Sequence, residues 1–212
     1  MFELREARKI TNKIENTEFL KIRSNNILPQ KSYNHVGATI TDSILQAGLN
    51  YNNVVLPRVQ IILHNWASYN TTSSFYELIN NNNLSELINW KKSAKTDRII
   101  NLLIFFKEES LEYENEIREW LIDSQNANYL QNIKGIGPKT IDYLKKLLLI
   151  NTIPVDRHLK NFATEIGIQN LDYLNLQKVY MFAADLINLD YSTMDSIIWE
   201  YMSKRKNIDQ AV

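Results

Sequence analysis

The chain has 212 residues but only five glycines and four prolines. Glycine interrupts helices through its backbone freedom and proline through its missing N–H. Their scarcity leaves long stretches free to stay helical, and the apolar pattern follows. Ile99, Leu103 and Phe106 share one helical face. So do Ile141, Leu144 and Leu148, and again Val179, Phe182, Ala183 and Leu186. No segment alternates strictly between turn signals as a hairpin strand would. An all-α chain of about ten helices is expected. Its breaks should fall near Asn25–Pro29, Gly48–Asn53, Tyr69–Thr72, Asn80–Asn83, Gly135–Gly137, Asn151–Pro154 and Gly167–Asn170. There is no internal repeat and no long linker, so two helical lobes sharing one chain are expected rather than two tethered domains.

Several chemistries are excluded by what is missing. With no cysteine, the chain can hold no disulfide, thiolate zinc site or iron–sulfur cluster. Its three histidines, His35, His64 and His158, are too far apart in sequence for a His-rich metal site. No stretch reaches the roughly 20 apolar residues that span a bilayer. The acidic start at Glu3 and Glu6 is unlike a signal peptide. No membrane association is expected, and the cytoplasm is the default, with the nucleoid as the site of action in a prokaryote. Lys plus Arg and Asp plus Glu number 24 each, so the net charge is zero, which argues against a strongly basic, non-specific nucleic-acid binder. Local basic clusters remain at Lys91, Lys92, Lys95 and Arg98, at Lys134, Lys139, Lys145 and Lys146, and at Lys204, Arg205 and Lys206. Each reads on its own as a solvated helix face.

One segment carries more. In Ile133-Lys134-Gly135-Ile136-Gly137-Pro138-Lys139-Thr140, a Gly-x-Gly turn hands the chain to a helix. Pro138 suits the first helical position, where its missing N–H is no loss. Thr140 to Leu149 is expected to continue that helix as an amphipathic one, so Lys139 sits in its first turn. The free N–H groups and positive end of that helix suit an anion such as a DNA phosphate. The same positive end disfavours an ammonium. An ordinary lysine titrates near ~10.4, and lowering it by about three units destabilises the ammonium by ~4 kcal/mol. A neutral amine is a nucleophile toward a sugar carbon or an aldehyde. The plainer reading is a turn with a solvated lysine. A nucleotide P-loop is excluded, because Pro138 separates Gly137 from Lys139.

Seventeen residues after Lys139 comes Asp156, in Val155-Asp156-Arg157-His158. It is expected to open a helix running from His158 to Ile166. An N-cap is the structural role for an aspartate there, and a rigidly held carboxylate also suits chemistry. His158 reads as structural, while Arg157 and Lys160 are candidate phosphate contacts.

Together, Ile133-Lys134-Gly135-Ile136-Gly137-Pro138-Lys139-Thr140 and Val155-Asp156-Arg157-His158 resemble the helix-hairpin-helix DNA glycosylases. That superfamily includes endonuclease III and the 8-oxoguanine DNA glycosylases. The core resemblance covers Asn128 to Ile168. It implies one glycosylase unit over residues 1–212, all-α, with the active-site cleft between two lobes. Residues 35–130 or so would form one lobe and 128–168 the hairpin and catalytic segment, with the terminal helices completing the other lobe.

The resemblance implies a bifunctional DNA glycosylase and AP lyase that removes an oxidised base from double-stranded DNA. Lys139 would be the nucleophile and Asp156 the carboxylate that stabilises the sugar cation. DNA contacts would come from Lys134, Gly135, Ile136, Gly137, Thr140 and Arg157. Related hairpins hold a monovalent or divalent cation on backbone carbonyls, here those of Gln131, Ile133 and Ile136; no cofactor is otherwise required. A looser match, Leu45-Gln46-Ala47-Gly48-Leu49-Asn50-Tyr51, ends a helix expected over Gly37–Leu49. It makes Gln46 the candidate wedge into the gap left by a flipped base, with Asn50 and Tyr51 beside it; the plain reading is a polar helix end. The cysteine cluster of endonuclease III is absent, so the chain looks more like the cluster-free 8-oxoguanine enzymes. The terminal helix expected over Tyr191–Met202 would pack without that cluster. Trp66, Trp120, Tyr180, Phe182 and Trp199 stand as core or pocket aromatics. A monomer is expected, since one cleft suffices. The alternatives are a non-catalytic helix-hairpin-helix DNA-binding protein and a monofunctional glycosylase.

Overall fold

The computed structural model describes residues 2–24, 31–91 and 93–209; side chains are described for these except residues 22–24, 93 and 205–209. Among the described residues the fold is all-α, with thirteen α-helices and no strand. In chain order they are α1 Phe2–Glu15, α2 Glu18–Ser24, α3 Val36–Leu45, α4 Leu56–Asn65, α5 Thr72–Asn81, α6 Leu84–Leu87 and α7 Ser93–Glu108. There follow α8 Glu114–Ile122, α9 Ser124–Tyr129, α10 Pro138–Leu147, α11 Arg157–Glu165, α12 Tyr173–Leu186 and α13 Tyr191–Asp209. A π-helical turn covers Tyr51–Val55 and a 3-10 turn covers Leu130–Asn132. No helix among the described residues is long and apolar enough to cross a membrane. The expected break at Asn25–Pro29, and Lys92, lie outside the described residues, as do the side chains of Arg205 and Lys206.

The helices exceed the expected ten because side-chain caps restart the chain at short intervals. The Asn83 side chain accepts from the Ser85 N–H to begin α6, and Asp123 accepts from Gln125 N–H to begin α9. These caps satisfy backbone donors that a helix end otherwise leaves open.

The chain divides into two compact units, one formed by Met1–Pro29 with Asn151–Val212 and the other by Gln30–Ile150. In the first, Ala7, Ile10 and Ile14 give α1 an apolar face at i, i+3 and i+7, buried against α12. Leu159, Phe162 and Ala163 of α11 join the same core with Met194, Ile198 and Met202 of α13. Tyr180 is fully buried there, with its hydroxyl donating to the Leu159 carbonyl at 2.6 Å. Of the candidate aromatics, Tyr180 is therefore core, whereas Phe182 is exposed and Trp199 is half-buried against His158.

In the second unit, α3 is buried on every side. It packs against α4, α5, α7 and α10. Gly37 allows a close approach of α5, since a Cβ there would meet the Phe75 ring at 2.5 Å. Burial all round favours partners for the polar side chains of α3, and all but the Thr41 hydroxyl have one among the described residues. Thr39 donates to Glu114, Ser43 donates to the Ile40 carbonyl, and Asp42 accepts from Tyr33 and Gln46. α3 ends at Leu45, short of the expected Leu49, and Gly48 takes a left-handed φ of +84°. Trp66 and Trp120 are half-buried, the latter edge-on to Phe105.

Candidate functional site

The 133–140 segment leaves α9 through the 3-10 turn, whose last N–H, that of Ile133, donates to the Leu130 carbonyl. The Ile136 N–H then donates to the Ile133 carbonyl at 2.9 Å, and Gly135 between them has φ +86°. That is the pattern of a type II turn, which requires positive φ at its third residue. Ile136 is 4% exposed and sinks into the core with Ile141, Leu144 and Leu148, so the turn is anchored by one apolar side chain. Gly137 is the N-cap of α10, with no side chain to cap it, and Pro138 takes the first position. The helix thus begins where expected and ends at Leu147, two residues early, because Leu149 turns left-handed at φ +61°.

The two glycines differ. A Cβ on Gly135 would lie 2.2 Å from Nε of Arg98, whose guanidinium rests on the turn. A Cβ on Gly137 would meet nothing within 4 Å, and its φ of −117° suits any residue. The fold needs glycine at the first position and not at the second. Among the described residues the N–H groups of Gly135 and Gly137 take no hydrogen bond.

Lys139 is half-buried, and its ammonium lies 5.6 Å from the centroid of the Tyr143 ring, one turn along α10. Thr140 is buried, and Lys134 is exposed at the tip of the turn. Lys95 of α7 donates from its ammonium to the carbonyls of Ile44 at 2.7 Å, Ala47 at 2.9 Å and Leu45 at 3.4 Å. These carbonyls are the open C-terminal end of α3, and a cation there opposes the helix dipole. Burial first, then the charges of Arg98 and Lys139, bring the Lys95 ammonium down to about 8. The sequence marked Lys95 and Arg98 only as part of a basic cluster. Their i, i+3 spacing on one helix was legible, but the seating of Lys95 on the α3 carbonyls and of Arg98 on Gly135 depends on long-range packing.

Gln46 is the C-cap of α3 and half-buried, and its amide is turned inward. It donates to Asp42, whose other oxygen accepts from the Tyr33 hydroxyl at 2.6 Å. The Tyr51 hydroxyl is 3.4 Å from that of Tyr33. Burial pushes the Asp42 carboxyl above its ordinary value, against the hydrogen bonds from Tyr33 and Gln46, and burial pushes both phenols up as well. Asn50 is exposed and caps the π-helical turn through the Asn53 N–H. Gln46, one turn along, is a local partner of Asp42, but Tyr33 lies nine residues before it and the Tyr51 hydroxyl beside Tyr33 nine after, so the local sequence alone did not announce a buried acid.

For the proposed cation, the Ile133 carbonyl already accepts the Ile136 N–H, which leaves it one lone pair. With the carbonyls of Gln131 and Ile136 this is an all-oxygen set, the chemistry of a hard cation. Among the described residues no group of His, Cys, Asp and Glu could hold a metal.

Asp156, Arg157, His158 and Lys160 belong to the first unit, and Lys139 and Gln46 to the second. Asp156 is the N-cap of α11, which begins at Arg157. One carboxylate oxygen accepts both the His158 N–H at 2.7 Å and the Leu159 N–H at 3.1 Å. The other oxygen takes no hydrogen bond among the described residues. Arg157 and Lys160 are exposed, whereas His158 is buried edge-on to Trp199.

No protein-family model matches this chain, and no curated protein matches its sequence.

Proposed function

We propose that this chain is a base-excision DNA glycosylase with AP lyase activity, acting on an oxidised base in duplex DNA. The observation that carries this reading is Lys139: a half-buried lysine in the first turn of α10, directly after a glycine turn. Gly137 supports it. The fold has no need of glycine there, while an incoming phosphate does. The N–H groups of Gly135 and Gly137 and the start of α10 suit backbone contacts that position DNA without reading its sequence.

In the proposed chemistry the damaged nucleotide is extruded from the duplex, at a cost of a few kcal/mol of unstacking. Neutral Lys139 attacks C1′ and the bond from C1′ to the base breaks, the base leaving with the bonding pair and taking up a proton. Ring opening and loss of the amine's proton give a Schiff base. Removal of a C2′ proton then expels the 3′ phosphate by β-elimination and nicks the strand. Water releases the sugar fragment from the lysine. Asp156 is the carboxylate for the positive charge that develops on the sugar, an electrostatic role suited to a preorganised group. The Asp156 oxygen not used in capping is the one available for it. Gln46 fits the wedge role on condition that it releases Asp42. A hard cation on the carbonyls of Gln131, Ile133 and Ile136 would neutralise a DNA phosphate.

The test is strand nicking on duplexes carrying 8-oxoguanine, thymine glycol, uracil or an abasic site, with wild type beside Lys139→Gln. The reading expects nicking of one damaged duplex and of the abasic one, both lost in the variant while DNA binding persists. Intact abasic products cleaved only by hot alkali would indicate a monofunctional glycosylase. Binding without any chemistry would indicate a DNA-binding module.

A further inference from the structure

The second unit holds a cavity of about 300 Å³, and every residue that lines it falls between Ser32 and Leu149. That volume is at the small end of the range for small-molecule sites. The cavity lies where α10 ends and α8 begins. Lys139 is at the other end of α10, about 12 Å away along the axis at a rise of ~1.5 Å per residue. Two walls of the cavity are apolar side chains in places where local structure favours something else. α10 is closed by the Leu149 N–H, which donates to the Lys146 carbonyl at 3.0 Å, and the Ile150 N–H, which donates to the Lys145 carbonyl at 2.9 Å. Such an ending puts a left-handed residue after the cap, and that residue is usually glycine. Here it is Leu149, at φ +61° and 44% exposed. Tyr113 is the N-cap of α8, a place that favours Ser, Thr, Asp or Asn. Its side chain makes no cap hydrogen bond; the Glu116 carboxylate takes the N–H groups of Glu112 and Tyr113 instead, and the tyrosine is 52% exposed. Neither side chain belongs to the core or serves its own helix end, and both line the same cavity.

The polar lining divides into occupied and open groups. The buried Glu114 carboxylate already accepts from the N–H groups of Asn34 and His35 and from the Thr39 hydroxyl. The Asn34 amide oxygen accepts from the Ser32 hydroxyl at 3.2 Å. The Arg118 guanidinium and the side-chain amides of Asn70 and Asn115 take no hydrogen bond or ion pair among the described residues. What stays open is a fork of donors and two amides that each donate and accept, beside an aromatic ring and an aliphatic side chain. We infer that this cavity is a binding site for a purine base. A purine has apolar faces for Tyr113 and Leu149. Its N7 edge carries two acceptors in guanine, and an acceptor with an amino donor in adenine. The first matches the guanidinium of Arg118, and the second matches an asparagine amide. Stacking on Tyr113 is open to any base, so the edge contacts are what select purines. A site this small takes one base, with its sugar, at a time. The inference stands apart from the glycosylase reading and needs neither Lys139 nor Asp156.

The experiment titrates the full chain with guanosine, adenosine, uridine and ribose, followed by ligand-observed NMR, in wild type, Tyr113→Ala, Arg118→Gln and Leu149→Gly. Wild type is expected to bind both purine nucleosides saturably, uridine more weakly and ribose not at all. Tyr113→Ala and Arg118→Gln should each weaken purine binding by about tenfold, and Arg118→Gln should weaken guanosine more than adenosine. Leu149→Gly separates binding from folding. Glycine suits the left-handed position, so the thermal midpoint should rise while purine affinity falls. Thermal unfolding of the other two variants reports any loss of fold separately. A second arm uses a single-stranded trinucleotide with a central dG to identify the source of the base. Saturable guanosine binding supports a free nucleoside as the ligand. Trinucleotide binding without guanosine binding, lost in Tyr113→Ala, supports a base presented by a strand. No saturable binding of either probe, affinity unchanged in both Tyr113→Ala and Arg118→Gln, or uridine or ribose bound as tightly as guanosine would overturn the inference.

Discussion

At the scale of single residues, Asp156 caps α11, and the proposed function gives it a second role that substitution can separate from the first. Asparagine caps a helix about as well as aspartate, whereas alanine does not. Asp156→Asn should therefore keep the stability of wild type and lose the glycosylase step. Asp156→Ala should lose both, with about 1 kcal/mol of stability gone in urea unfolding. A DNA-binding module with no chemistry predicts that Asp156→Asn is silent in every assay. Asp42 gives a second prediction. Its folded carboxyl is raised by burial, so it holds its proton where the unfolded chain, titrating near ~3.9, has released it. The folded state then binds more protons, and stability falls as pH rises through the window between those two values. Asp42→Asn removes this titration. Thermal unfolding from pH ~4 upward should show the variant gaining on wild type across that window; parallel curves would show that Asp42 is ionised when buried. The sequence disclosed Asp156 through its place ahead of an amphipathic helix. It did not disclose Asp42, because burial is a property of α3 as a whole.

At the scale of elements, the turn into α10 was legible because each residue's chemistry has one local use there. Gly135 takes the left-handed φ, Ile136 anchors, and Pro138 starts the helix. The end of α3 was not legible. It stops at Leu45 where Lys95, fifty residues away, collects its last carbonyls, and no local pattern encodes that. The two turn glycines should respond differently. Gly135→Ala meets both a left-handed backbone and Arg98, and should lose about 1–2 kcal/mol of stability. Gly137→Ala should stay within about 0.5 kcal/mol of wild type. Its effect belongs in DNA binding, where a methyl group at the phosphate approach should weaken affinity by about tenfold or more, ~1.4 kcal/mol. A Gly137→Ala variant that binds DNA as tightly as wild type would remove the argument from that glycine.

At the scale of the whole molecule, the all-α class followed from period and from scarce breakers. The division at Gln30 and Ile150 has a physical basis in two separate apolar clusters. One of them is built entirely from a continuous segment, from Val36 to Leu148. A fragment covering 30–150 should accordingly be helical by circular dichroism and unfold cooperatively, as a unit with its own core does. A fragment without a cooperative transition would show that the second unit depends on the rest of the chain. A net charge of zero also bounds the proposed DNA binding. Binding should rest on a few phosphate contacts, with a salt slope of about −2 to −4 rather than the steep dependence of a basic protein.

The most direct test of the central claim is to reduce a reaction mixture with borohydride on an abasic duplex and map the attachment site by peptide mass spectrometry. A covalent adduct on Lys139 is expected, absent in Lys139→Gln although that variant still binds the duplex. An adduct on another lysine, or none despite tight binding, would contradict the claim.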